Sequence, residues 1–144
     1  MIHFKTPQER EHILQALQLN MNEEIRATLQ YICHRIAAKR IDEVIADSFK
    51  SAGLDEMAHI LYFSDLIIKC GETPYFEQWH IDTSTDLKLM LEADIMLEQA
   101  ARRRYRQQQE MMAEYPELVA VLTSVLNDEQ DHEETFIAYR SRFQ

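Results

Sequence analysis

Two short phrases carry residue types that bind metals: Glu56-Met57-Ala58-His59 and Glu129-Gln130-Asp131-His132. A Glu and a His three residues apart share one face of a helix and can reach the same ion. One such pair is commonplace, but here the rest of the chain repeats around the two. Glu24 precedes Tyr31 by seven residues, and Glu98 precedes Tyr105 by seven. Glu24 and Glu98 stand 74 positions apart, as do Tyr31 and Tyr105; Glu56 and Glu129 stand 73 apart, as do His59 and His132. The chain thus reads as a two-helix unit followed by a second, each supplying a lone Glu and a Glu-x-x-His.

Four carboxylates and two imidazoles form a mixed oxygen and nitrogen donor set that suits two Fe or two Mn ions. The lack of thiolates argues against a structural zinc site. Four carboxylates also neutralise two divalent cations, so a buried metal pair leaves no net charge to solvate, whereas the bare cluster is an electrostatic liability. The plainer reading is a solvated helix face with two unrelated His, and it leaves the matched offsets without a cause. Asp55 and Asp128 precede the two motifs and are candidates to orient the His ligands through their second ring nitrogen, each serving its own or the opposite motif. Tyr31 and Tyr105 either hydrogen-bond a ligand Glu or donate an electron, or are core tyrosines needing a partner.

Neighbouring residues compete for these roles. Glu23 turns 100° away from Glu24 on a helix. Asp94 is the reserve candidate to Glu98, and Glu92 lacks the 74-residue partner. Arg102 can pair with a carboxylate near the site or belong to the surface run Arg102-Arg103-Arg104. His34 is a candidate accessory ligand, while His3, His12 and His80 lack any partner pattern.

The elements that must position these residues are helical. Two Gly and three Pro in 144 residues deplete turn formers, and 46% hydrophobic residues suffice for one core, so the expectation is one all-α domain over 1–144. Thr6-Pro7-Gln8-Glu9 is a helix start. From it, Ile13, Leu14, Leu17, Met21, Ile25, Leu29, Ile32 and Ile36 recur at three- and four-residue steps to about residue 39. After a short turn near 39–42, a second helix carries Val44, Ile45, Phe49, Ala52, Met57, Ile60, Leu61 and Ile68 to Cys70, where Gly71 stops it. Gly53 within it marks a close contact or a small cost. Residues 72–83 (ETPYFEQWHIDT) lose the helical period. Extended, this segment reaches about 45 Å, the length of a 28-residue helix at about 42 Å. It predicts a crossover joining the second and third helices as parallel neighbours, with Trp79 among aromatics able to meet a partner subunit. The third helix starts near Ser84 to Asp86 and runs to about Glu114, and Pro116 opens a fourth that runs nearly to Gln144.

Asp plus Glu outnumber Lys plus Arg 25 to 15, for a formal charge of −10. Such acidity opposes binding to nucleic acid or an anionic membrane and draws cations. Cys33 and Cys70 are too few for a disulfide framework and fit a reduced, cytoplasmic setting. The N-terminal MIHFKTPQER has no signal-peptide pattern, and no run of 18 apolar residues predicts a membrane span.

With these motifs in hand, the chain resembles the ferritin-like superfamily, and within it the bacterioferritin-like and rubrerythrin-like di-iron carboxylate proteins. The likeness runs through EIRATLQY at 24–31, DEMAH at 55–59, DLKLMLEADIMLEQA at 86–100 and NDEQDH at 127–132. It implies a four-helix bundle with a long crossover between the second and third helices, and a homo-oligomer, at least a dimer. It implies Glu24, Glu56 and His59 mainly on one iron, Glu98, Glu129 and His132 mainly on the other, and Glu56 and Glu129 bridging. The implied activity is oxidation of Fe(II) with dioxygen or hydrogen peroxide, for iron detoxification or storage. Met57 stands where bacterioferritins place a haem-binding Met, although a helix-face Met also serves packing. Only 12 residues follow His132, which leaves no fifth helix and puts a 24-subunit cage in doubt. No four-cysteine rubredoxin-like segment is present. Two other readings remain open: peroxide disproportionation or organic-substrate oxidation at two Mn or two Fe ions, and a non-catalytic helical assembly module.

Overall fold

The computed structural model describes residues 1–77 and 80–144, and Trp79 lies outside them. Its four helices are α1 (Pro7–Ala38), α2 (Glu43–Lys69), α3 (Leu87–Met111) and α4 (Pro116–Arg140). Thr6 Oγ1 accepts from the Glu9 amide, Asp42 from the Val44 and Ile45 amides, and Asp86 from the Leu89 amide, so three of the four starts are capped by a side-chain oxygen. Gly71 ends α2 with φ of 83°, a left-handed conformation that suits Gly. α3 stops at Met111, three residues before the expected Glu114, because 112–114 form a turn ahead of Pro116. α4 ends at Arg140, four residues before Gln144.

α1 packs chiefly on α2 and α3 on α4, with lighter α1–α3 and α2–α4 contact. Among the described residues the α2 and α3 backbones do not approach each other, and the two helices meet only through long side chains in the interior, such as Phe63 on Tyr105. The two are parallel, as expected, but they are diagonal partners and not neighbours. The crossover therefore runs along α1, and α1 supplies a polar stripe to receive it. Gln18 binds the Thr73 carbonyl and the Tyr75 amide at 3.1 Å each. Asn22 takes the Tyr75 carbonyl at 3.0 Å and the Glu77 amide at 2.8 Å. Arg26 donates to the His80 carbonyl, and Gln30 accepts from the Asp82 amide at 2.8 Å. His34 closes the series on the Asp82 carboxylate at 2.8 Å. These five residues recur every fourth position, one row along the helix. The first four satisfy backbone groups that have no helix or sheet partner of their own.

The interior has two apolar clusters. One gathers Ile13, Leu17, Met21, Phe63, Ile67 and Leu122; the other gathers Ile45, Phe49, Met90, Leu91 and Phe136. Tyr105 belongs to the first and Tyr31 to the second, and the charged layer lies between them. The helical periodicity of α1 and α2 does not all point inward. Leu29, Ile32 and Ile36 on α1, and Val44, Met57, Leu61 and Ile68 on α2, are exposed. A Cβ on Gly53 would stand 3.2 Å from Ile32 Cδ1, so this glycine marks a close approach of α1 and α2. No described helix is long and apolar enough to cross a membrane.

Candidate metal centre

Each helix contributes from its middle. Glu24 comes from α1, Glu56 and His59 from α2, Glu98 from α3, and Glu129 and His132 from α4, all of them buried. The structure brings all six together. Their donor atoms fall into two quartets, Glu24–Glu56–His59–Glu129 and Glu56–Glu98–Glu129–His132, in each of which one atom per residue lies within 4.8 Å of the others. Glu56 and Glu129 belong to both quartets.

The contacts around this cluster obey the duplication, and those made by its tyrosines and aspartates cross from one half to the other. Tyr31 Oη donates to Glu98, and Tyr105 Oη donates to Glu24. His59 Nε2 stands 2.7 Å from Asp128, and His132 Nε2 stands 2.8 Å from Asp55. Both imidazoles thus turn Nδ1 inward. His59 Nδ1 lies 3.4 Å from Glu24 and from Glu129, and His132 Nδ1 lies 3.0 Å from Glu56 and 3.3 Å from Glu98. Phe63 stacks on Tyr105 at 5.7 Å and Phe136 packs edge-on to Tyr31 at 5.5 Å. These two Phe also stand 73 positions apart, a signal that extending the repeat beyond the acidic residues reveals.

Electrostatics show what the cluster lacks. Burial, then the charges of Glu129, Glu24 and Glu98, push the Glu56 carboxyl well above its ordinary range. Burial and Glu129 do the same to Glu98. Burial alone would raise Glu24, but hydrogen bonds from Glu56 and His59 outweigh it and pull the carboxyl down to about 2. Burial likewise opposes charge on the imidazoles, yet Glu129 and Glu24 lift His59 to about 11, and Glu98 and Glu129 lift His132 to about 9. Carboxylates crowded and buried in this way favour positive charge among them. Glu56 Oε1, Glu98 Oε2, Glu129 Oε1 and His132 Nδ1 are buried and make no well-aligned hydrogen bond, although His132 Nδ1 lies 3.0 Å from Glu56 Oε1. Orphaned donor atoms of this kind, in a carboxylate and imidazole set, fit a pair of divalent metal ions.

The competing residues go elsewhere. Asp94 is buried but bonds to Gln30 at 2.8 Å and to His34 at 2.7 Å, outside either quartet. His34 is therefore engaged at both nitrogens. Arg102 pairs with Glu133, the residue after His132. Met57 is half exposed on the outer side of α2 and does not pack in the core of its own bundle. Across the centre from Asp94, Asn20 accepts from Arg104 at 3.2 Å and exchanges hydrogen bonds with Gln108 at 2.6 and 2.9 Å. The offset of 74 maps Asn20, Gln30 and His34 onto Asp94, Arg104 and Gln108. Two related polar clasps thus join α1 to α3, one on each side of the cluster.

A model of the ferritin-like domain matches residues 14–144. Ferritin-like di-iron carboxylate proteins from Bacillus anthracis superpose with a TM-score of 0.87 at 25% identity, over 94% of this chain and 99% of theirs. The dodecameric thioferritin of Bacteroides fragilis, a bacterioferritin-related protein, gives 0.85 at 17% identity over 92% and 86%. The Desulfovibrio desulfuricans bacterioferritin, with its di-iron site, gives 0.85 at 20% identity over 93% and 81%. No curated protein sequence matches the chain. The bundle with its crossover, the cluster at its centre and the near full-length match place this chain in the ferritin-like domain family.

Proposed function

We propose that this protein binds two iron ions in the central cluster and oxidises Fe(II) with dioxygen or hydrogen peroxide. The observation that carries the reading is the pair of buried donor quartets sharing Glu56 and Glu129, with orphaned donor atoms facing inward. Glu24 and His59 would complete one metal, Glu98 and His132 the other, with Glu56 and Glu129 between them. Two Fe(II) ions supply two electrons, which with two protons reduce dioxygen to hydrogen peroxide, or hydrogen peroxide to two waters. The chain does the positioning. Asp128 and Asp55 accept the outer N–H of His59 and His132 and so keep each Nδ1 lone pair aimed inward once the imidazole is neutral. Tyr105 and Tyr31 each engage one oxygen of Glu24 and Glu98, leaving the other to bind metal.

The same donors suit manganese, so metal analysis of the natively purified protein is the companion measurement. Met57 offers a surface thioether for haem, which a haem absorption band in the purified protein would report. Copies of the chain assemble in this reading, as the Bacteroides fragilis relative does in a dodecamer. The test compares Fe(II) oxidation by the parent chain and by Glu56→Ala. Loss of a carboxylate shared by both quartets is expected to slow oxidation by about 100-fold; equal rates would sink the assignment.

A further inference from the structure

Between the two clasps, α1 and α3 leave a slit beside the cluster. Its rim is formed by Glu23, Leu97 and Arg104, its walls by Ala27 and Ala101, and its floor by carboxylates of the cluster. The free volume is about 10 Å³, at the threshold for one water molecule and far short of a cation with its water shell. Passage therefore requires something to move. The helices are tied on both sides of the slit, by Asn20 with Gln108 and by Gln30 and His34 with Asp94, so separating them would break buried hydrogen bonds. The two alanines cannot swing aside. The long polar side chains at the opening are Glu23 and Arg104, both only partly exposed.

These two are also where the duplication fails. Ala27 and Ala101 are equivalent under the 74-residue offset, but Glu23 answers to Leu97 and Arg104 to Gln30. One side of a symmetric opening has thus acquired a carboxylate and a guanidinium. Arg104 lies over the Tyr105 ring, 4.9 Å from its centroid, with Nε on Asn20 at 3.2 Å, in the negative field of Glu24 and Glu23. Tyr105 in turn holds Glu24.

We propose that Arg104 and Glu23 gate the entry of metal cations to the centre. The proposal rests on the two-metal reading above. Glu23 attracts a cation to the slit. Arg104, held there by Asn20 and by the negative charge of the metal-free cluster, blocks the slit until an incoming cation takes over that charge and the guanidinium swings out. The gate thus exchanges one cation for another: the Arg104–Asn20 hydrogen bond opens and no covalent bond is made or broken.

The test is stopped-flow binding of Co(II) to metal-free protein, followed by cobalt absorption, which reads entry without any turnover. Arg104→Gln is expected to speed binding several-fold and Glu23→Gln to slow it several-fold, each ending at the same two cobalt ions per chain. Glu23 lies at the surface end of the slit, so its variant tests the gate even if Arg104→Gln folds poorly. Uptake by the parent with unchanged rates in the variants, or with the signs reversed, would overturn the gate and leave the metal site standing. No uptake by the parent would overturn the metal site and the gate together.

Discussion

At the scale of residues, the crowding of buried carboxylates that suits a metal pair makes the metal-free centre costly. Glu56 has its folded-state pKa raised by burial and by Glu129, Glu24 and Glu98. A carboxyl raised in this way costs stability as pH climbs past its unfolded value of 4.5. Glu56→Gln is therefore expected to make the metal-free protein more stable at neutral pH, by about 1–4 kcal/mol if it behaves like other neutralised buried charge clusters. The same substitution should abolish the stabilisation by added metal, which for the parent is about 2.7 kcal/mol at a metal concentration 100 times Kd. Urea unfolding with metal and with chelator reads both, and a less stable metal-free variant would contradict the first. Binding must also remove protons from Glu56, Glu98, His59 and His132, so metal affinity falls as pH falls.

At the scale of elements, the crossover depends on α1 for its hydrogen bonds. Its firmest tie is His34, fully buried between Asp94 of α3 and Asp82 of the crossover, with Phe49 of α2 against the ring. Both ring nitrogens face carboxylates, so the imidazolium is favoured. Burial opposes its charge, but Asp94 and Asp82 win and raise its pKa. Asp82 shifts the opposite way: burial would raise it, but hydrogen bonds from Ser84 and His34 lower it. The His34 contribution is complete below its unfolded value of 6.5 and is lost as pH rises through the raised folded value. The Asp82 contribution is complete above 3.8 and is lost as pH falls through the lowered one. The raised pKa of Asp94, caused chiefly by burial, works against both. Asp82→Asn should cost about 1 kcal/mol near pH 5, less at alkaline pH, and should speed hydrogen exchange in residues 72–83. A cost that does not change with pH would show that His34 stays charged throughout or never was.

At the scale of the whole molecule, the exposed apolar stripes on α1 and α2 need an explanation that one bundle does not contain. Leu61 is 61% exposed and Ile36 65%, on the two helices that carry half of the ligand set. Exposed side chains of this size at helical spacing are the usual material of an interface. Leu61→Lys and Ile36→Lys are expected to lower the mass of the assembly in native mass measurements while leaving helicity intact. A monomeric parent would remove the interface. The stripes also show why helical periodicity over-counted the core: a face buried by a neighbour and a face buried by the same chain have one and the same pattern.

The residue types and offsets alone supplied the six candidate ligands, the helix starts at Thr6, near Ser84 to Asp86 and at Pro116, and the length of the crossover, because chelation, capping and reach depend on local spacing. Folding decided what spacing does not encode. It placed α2 diagonal to α3, so the crossover lies along α1 and the row Gln18, Asn22, Arg26, Gln30 and His34 becomes its anchor. It took Asp94 and His34 out of contention as ligands by pairing them with each other. It also crossed the two halves, so that Tyr31 serves Glu98 and Tyr105 serves Glu24. Partners drawn from different helices are chosen by packing, and packing is a property of the assembled bundle.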